Sequence, residues 1–354
     1  MHLGELTIEE LETFFRELGE PSYRAKQIFI RIHRHLALSL SEFTEIPKRV
    51  LKIFEERQLF STLQIKNRKI VEALSSDCGT EKFLFESPNP KVSLQRNFES
   101  VWIVSEKRRT ACVSSQSGCS LNCVFCATGQ LPFKGNLETW QILQQVYIMI
   151  RMRNPEFPFI RERLTNIVYM GMGEPFYNYD KVIKSAHLLH HSLGLNLGAR
   201  HITISTAGVV PAIERFIKEK QPFNLAVSLN HPISENRSEL MDINKKYPLK
   251  DLLKVLKTYV KLYRKNITFE YVLIPEVNMS SDHIRELVRI SKFIKHCKFN
   301  LIPLNTEFHQ WRRPTEEEVL HFQNELRKHG ILAFYRGSPG RTIDAACGML
   351  SLKS

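Results

Sequence analysis

No apolar run in this 354-residue chain approaches the ~18 residues that a membrane-spanning helix needs, which sets aside an integral helical membrane protein. The opening stretch, MHLGELTIEELETFF, carries acids and lacks the pattern of a secretion signal. A cytoplasmic protein is therefore the expectation. Thiols stay reduced there, so clustered cysteines favour metal or redox chemistry over structural disulfides. Acidic side chains are in deficit: 37 Asp and Glu stand against 50 Lys and Arg, a net charge of +13. That balance suits a polyanionic partner, nucleic acid first, although a basic enzyme without one fits the charge equally well. What is present is ordinary globular material, 43% hydrophobic, enough to bury a large core.

The first 95 residues read differently from the rest. Thr7 and Glu10 stand at capping-box spacing at the head of TIEELETFFRELG, which predicts a short amphipathic helix. SYRAKQIFIRIHRHL predicts a second, with Ile28, Ile32 and Leu36 along one face and Arg24, Lys26, Arg31 and Arg34 on the other. IPKRVLKIFEERQ predicts a third. The basic face is either a solvated surface or one that contacts phosphates. KIVEALSS, EKFLFES and SVWIVSE read as strands of a small antiparallel element. Residues 1–95 are thus expected to form a helical accessory domain with short strands, and residues 96–354 the main domain.

From about residue 109 the pattern alternates. TACVSS, NIVYMGM, HITISTAG, NLAVSLN, ITFEYVLI, FNLIPL and ILAFYRG read as strands, with helical runs between them. Repeated β–α units imply an α/β protein with a parallel sheet flanked by helices. Six or so units are too few for an eight-stranded barrel. A partial (β/α)6 barrel is expected, with a doubly wound open sheet as the alternative. Either architecture gathers its chemistry where strands end. Gly173 and Glu174, Ser205, Ser228 and Asn230, and Asn305 fall at such ends. Each alone fits a turn or cap, whereas several on one rim fit a ligand site.

Four of the seven cysteines fall in ACVSSQSGCSLNCVFCATGQ, where Cys119, Cys123 and Cys126 are spaced C-x3-C-x2-C and Cys112 lies upstream. Three thiolates can each bind one iron of a cubane and leave the fourth iron open to a small chelating molecule. Tetrahedral zinc is the alternative, with Cys112 completing the site. Zinc sites, however, usually use paired C-x2-C knuckles, and a second pair is lacking. Cys78 and Cys297 read as packing residues, and on physical grounds alone so does Cys347.

The cysteine spacing at the end of a first barrel strand, with β–α alternation and MGMGEP after it, resembles the radical S-adenosylmethionine (SAM) superfamily. CVSSQSGCSLNCVFCATGQ, NIVYMGMGEPFYNYDKV, RHITISTAGVVPAI, RSELMDINKKYPL, ITFEYVL, KFNLIPLN and TIDAACGML together resemble the RlmN/Cfr family of RNA adenine methyltransferases. GEPSYRAKQIF, DINKKYPL and TIDAACGML look closer to the RlmN type. The resemblance runs from GEPSYRAKQIF to near the C-terminus. It implies a radical-SAM partial barrel, with a [4Fe-4S] cluster on Cys119, Cys123 and Cys126. It implies SAM contacts at Gly173, Glu174, Ser205, Ser228, Leu229, Asn230 and Asn305.

The family's target is a ring carbon of adenine, which is not nucleophilic enough to attack a sulfonium methyl directly. The resemblance implies that one SAM methylates Cys347 by ordinary displacement, which a thiolate can perform. A second is cleaved at the cluster to a radical that takes a hydrogen from the S-methylcysteine. The methylene radical then adds to adenine. Glu99, in NFESVWIV, falls at the family's proton-acceptor position, and Cys112 at that of the resolving thiol that forms a transient disulfide with Cys347. The implied substrates are 23S ribosomal RNA and transfer RNA, methylated at adenine C2, with the target base unstacked into the barrel mouth. An electron donor such as flavodoxin is implied, and a monomer is the default. Two alternatives stay open: a Cfr-type C8 methyltransferase, and a non-catalytic RNA-binding protein with a structural metal centre. The chain departs from the family pattern at Ser-Leu-Asn, residues 228–230, where Ser-Leu-His is usual. It also departs at TEFHQWRRP after Asn305, which lacks the usual proline-glycine pattern.

Overall fold

Thr7 and Glu10 cap the first helix reciprocally. The Thr7 hydroxyl accepts from the Glu10 N–H and the Glu10 carboxylate from the Thr7 N–H, and the helix runs Ile8–Glu17. The second and third helices run Tyr23–His33 and Lys48–Glu56. This computed structural model describes residues 1–71, 78–87, 96–159, 161–306 and 311–352. Ile28, Ile32 and Leu36 are buried together as their spacing requires. On the opposite face Arg31 pairs with Glu45, and Arg24 donates to the Glu45 carbonyl.

The helical part docks on the helix Thr139–Arg153 of the main domain. Gln144 spans the junction, accepting from the Leu63 N–H and donating to the Ser61 carbonyl. His33 meets the Tyr147 hydroxyl at 2.7 Å. Burial pushes His33 down to about 3 and His2 down to about 4, from an ordinary value of 6.5. Both rings are therefore neutral in the folded state while the unfolded chain takes up protons below 6.5. The stability they contribute is complete above 6.5 and is lost as the pH falls toward those folded values. Moving from about pH 7.5 to about pH 5 is expected to remove about 2 kcal/mol through His33 alone. In urea unfolding, His33→Gln should shrink the stability difference between those two conditions by that amount. An unchanged difference would show that His33 is not buried neutral.

Among the described residues the strands are β1 Gln64–Ile70, β2 Glu81–Ser87, β3 Arg96–Ser105, β4 Arg108–Cys112, β5 Gln116–Ser117, β6 Gly135–Asn136, β7 Asn166–Tyr169, β8 Ile202–Thr206, β9 Asn224–Ser228, β10 Ile267–Leu273, β11 Cys297–Pro303 and β12 Ala333–Tyr335. Ten of them form one sheet in the order β1-β2-β3-β4-β7-β8-β9-β10-β11-β12, and β5 pairs with β6. From β1 to β4 the pairing is antiparallel; from β4 to β12 it is parallel. Each crossover steps to the next position and the order never reverses. That progression is the partial barrel, and it rules out the doubly wound alternative, whose strand order must reverse at a switch point. Six long helices separate the seven parallel strands, from Thr139–Arg153 to Glu316–Lys328.

The structure departs from the sequence reading at the edge. β1 starts at Gln64 and ends at Ile70, whereas KIVEALSS, residues 69–76, carried the expectation; residues 72–77 lie outside the described residues. QIKNRKI is an exposed edge strand, so it shows no buried alternating face to read. Cys78 is exposed in a turn, which corrects its reading as a packing residue, while Cys297 is buried. The expected boundary between residues 95 and 96 falls between β2 and β3, which are hydrogen-bonded neighbours in the continuous sheet. No helix among the described residues is long and apolar enough to cross a membrane.

Candidate active site

Cys112 is the last residue of β4, the first parallel strand, and the loop after it carries Cys119, Cys123 and Cys126. Four contacts hold that loop from different directions. Val124 N–H donates to the Leu240 carbonyl and Ala127 N–H to the Gly348 carbonyl. The Thr128 hydroxyl donates to the Leu350 carbonyl, and Thr306 to the Phe125 carbonyl. The cysteine loop is thereby tied to the C-terminal segment that bears Cys347.

The three cysteines line a cleft at the C-terminal ends of the parallel strands. Gly173, Glu174, Ser205, Ser228, Asn230, Asn305 and Cys347 share its walls. Leu229 is not a wall residue: it is fully buried, its N–H donating to the Glu270 carbonyl and its carbonyl accepting from Arg237. Gly173 sits at φ +94°, and a Cβ there would lie 2.4 Å from the Gln116 side chain, so the turn admits only glycine. Gln116 Oε1 in turn accepts from the Glu174 N–H at 2.8 Å.

Glu174 is buried and accepts from two backbone amides, Phe176 at 2.9 Å and Ala207 at 2.7 Å. Burial raises its carboxyl to about 7 against the pull of those amides. A cation entering the cleft would be balanced by this group. Asn230 adopts a left-handed backbone, φ +55°, and its Oδ1 accepts from Val272 N–H at 3.0 Å. Its side chain thus continues the β9–β10 ladder past the strand end. Asn305 donates to the Cys347 carbonyl at 3.1 Å and accepts from Arg313.

Cys112 and Cys347 line a second, smaller cavity, which shares Cys126, Met170, Asn305 and Cys347 with the cleft. Both are free thiols. Burial pushes Cys112 up to about 12 and raises Cys347, while the nearby Arg336 guanidinium pulls both down. Arg336 also lies 3.8 Å from Glu270 Oε2, on β10. Glu270 lines the cleft and accepts from Asn300 at 2.9 Å. Glu99 lines neither cavity. It is fully buried on β3, 3.1 Å from the Lys82 ammonium, and accepts from the Ser351 and Leu352 amides at 2.9 and 3.2 Å.

The donor set fits an iron–sulfur cubane. Burial holds Cys119 up near 12 and raises Cys123 and Cys126, so the loop presents neutral thiols that lose their protons on binding metal. Among the described residues no three Cys, His, Asp or Glu side chains converge on a single ion. A cubane asks for one iron per thiolate, which three cysteines on one loop supply.

A protein of Leptospira biflexa called a probable dual-specificity RNA methyltransferase RlmN is 45% identical over 350 residues, 98% of this chain and 95% of that one. The chain belongs to the RlmN family of the radical SAM superfamily. An Alcanivorax borkumensis dual-specificity RNA methyltransferase RlmN is 37% identical over 98% of this chain and 88% of its own. Residues 113–288 match the radical SAM superfamily, and residues 1–57 match the ribosomal RNA large subunit methyltransferase N-terminal domain. A crystal structure of a radical SAM methyltransferase from Sphaerobacter thermophilus superposes with a TM-score of 0.91 at 38% identity, covering 100% of both chains. The fold is the radical SAM fold.

Four residues of the site escaped the sequence reading, Arg336 among them. Arg237 looks like one more charge on a short helix, Ser234–Leu240, yet it is fully buried. Its guanidinium donates to the carbonyls of Ala207, Ser228 and Leu229 and to Asn244 Oδ1. It therefore ties the ends of β8 and β9 together beneath the cleft. Lys82 alternates in sequence like a surface residue. Glu270 carried a signal: a lone carboxylate inside the apolar strand ITFEYVL.

Proposed function

We propose that this protein methylates C2 of adenine in 23S ribosomal RNA and in transfer RNA, by way of an S-methylated Cys347. The observation that carries the reading is that Cys347 and Cys112 line one cavity which continues into the cleft bearing Cys119, Cys123 and Cys126. Membership of the RlmN family and the match of residues 1–57 to a ribosomal RNA methyltransferase N-terminal domain support it.

Cys119, Cys123 and Cys126 hold a [4Fe-4S] cluster, which with SAM supplies one-electron cleavage of a sulfonium. Glu174 balances the SAM ammonium, and Ser205, Ser228, Asn230 and Asn305 form the polar wall. Leu229 acts through its backbone, which Arg237 holds. The Cys347 thiol is buried and protonated at rest, and Arg336 supplies the charge that favours its thiolate when methyl transfer begins. Glu99 takes the adenine ring proton. Cys112 attacks the Cys347 sulfur, and product leaves as the disulfide closes. The electron donor is a small redox protein such as flavodoxin, and the enzyme works as a cytoplasmic monomer. The basic helix face with Arg24, Lys26, Arg31 and Arg34 meets RNA phosphates; Glu45 pairs there are surface contacts that phosphate can displace.

Anaerobically prepared protein is expected to carry about four irons and four sulfides per chain. SAM should change its paramagnetic spectrum. Nucleoside mass spectrometry of ribosomal and transfer RNA from cells with and without the gene should then show 2-methyladenosine only where the protein is present. About one zinc per chain without iron would remove the radical reading. The 8-methyl isomer in place of the 2-methyl one would move the target to C8.

A further inference from the structure

Lys82 is 3% exposed and Glu99 0%, a charge pair taken almost wholly out of water. Such a pair is costly to bury and adds little stability for its cost. Its geometry is set by the sheet. In the β2–β3 register Leu84 stands opposite Glu99, so Lys82 is the diagonal neighbour, and its ammonium lies 3.1 Å from Glu99 Oε1, an ion pair not aligned as a hydrogen bond. The Glu99 backbone is braced too: its carbonyl accepts from the Ser114 hydroxyl, on the loop just past Cys112. The other oxygen, Oε2, is covered by a different kind of partner. Ser351 and Leu352 amides reach it from the C-terminal segment, which has no regular secondary structure there. Lys82 also donates to the Asp344 carbonyl at 3.3 Å, three residues before Cys347.

We propose that Lys82 is a positioning residue for Glu99: it clamps Oε1 from the rigid sheet, leaving Oε2, uncovered when the C-terminal segment shifts, as the oxygen that takes the adenine proton. The proton passes from the ring carbon to Oε2, its bonding electron pair stays on the base, and the Lys82 ammonium keeps the carboxylate aimed until transfer. The inference rests on the reading of Glu99 as proton acceptor. The Cys347 turn does not depend on Lys82 alone. Asp344 N–H donates to the Arg341 carbonyl, Ala345 N–H to Gly340, and Asn305 holds the Cys347 carbonyl.

The test uses cluster-loaded protein with an RNA stem-loop substrate and three readouts: Cys347 methylation by intact-protein mass, covalent RNA–protein adduct on a denaturing gel, and methylated RNA released. Lys82→Met should methylate Cys347 within about threefold of wild type, accumulate adduct, and release product about a hundredfold more slowly, the scale of a disabled general base. Lys82→Arg should restore release to within about tenfold, because it keeps the cation in an altered geometry. Wild-type release in Lys82→Met would overturn the proposal. So would parallel loss of Cys347 methylation and adduct, the mark of a merely structural role. If Lys82→Met does not fold, Lys82→Gln is read in its place by the same criteria. Glu99→Gln separates the underlying reading. Normal release in that variant removes the proton-acceptor role itself, whereas a stalled adduct in Glu99→Gln with normal release in Lys82→Met removes only the role of Lys82.

Discussion

Cys347→Ala should lower RNA methylation by roughly a thousandfold or more while the fold and the cysteine loop survive, because in the proposed mechanism Cys347 is a covalent carrier without a substitute. Two observations make the loss specific. Asn305 holds Cys347 by its carbonyl, which alanine keeps, and Gly348 holds the cysteine loop through its own carbonyl. Removing one sulfur from a half-buried residue therefore leaves the docking of the C-terminal segment intact. The other thiol in the cavity, Cys112, ends a sheet strand and cannot be repositioned to take over. Nucleoside mass spectrometry after single-turnover reaction, with a melting curve as control, measures both halves of the expectation. Methylation at a wild-type rate would end the covalent mechanism. Cys112→Ala should differ in kind, because Cys347 is still methylated and the adduct forms but is not resolved.

Arg237→Met should be the most destabilising single change in the site, about 4 kcal/mol or more in urea unfolding. The guanidinium serves four acceptors at once, the carbonyls of Ala207, Ser228 and Leu229 and the Asn244 side chain, at 2.7–2.9 Å. Methionine fills similar volume but takes this donor from the Ala207 and Ser228 carbonyls and Asn244 Oδ1 and leaves the Leu229 carbonyl only the His231 N–H, and each unsatisfied buried group costs about 1–3 kcal/mol. Lysine recovers only part, because a single ammonium cannot reproduce the planar fork. SAM affinity, measured by calorimetry on cluster-loaded protein, should fall in the lysine variant, since the ends of β8 and β9 carry Ser205 and Ser228. A lysine variant with wild-type stability and affinity would show that the four contacts do not set the cleft.

The elements of the barrel were legible because each half-unit announces itself. NLAVS and ITFEYVL are short apolar strands, LKDLLKVLKTYVKLY is an amphipathic helix, and turn residues stand between. Where both faces met water the signal failed, as at QIKNRKI, whose exposed edge carries no periodicity. The cluster loop was legible for a different reason. Its three cysteines lie within eight residues, so spacing alone is enough to suggest the proposed cluster. Arg237, Arg336 and Lys82 were not legible as site residues. Each acts on a group distant in sequence, and local pattern cannot distinguish a buried charge with a partner from an exposed one.

By itself, then, the order of residues determined the β–α alternation, the C-x3-C-x2-C loop and the likeness of TIDAACGML to a family's terminal motif, because all three are short-range patterns in one dimension. Tertiary structure decided what those patterns meet. It set the strand order that makes a partial barrel rather than a doubly wound sheet, the cavity shared by Cys112 and Cys347, and the burial of Glu99 between Lys82 and the Ser351–Leu352 amides. The physical reason is that desolvation and hydrogen-bond geometry depend on which distant segments exclude water from a group, and that is settled only when the chain closes on itself.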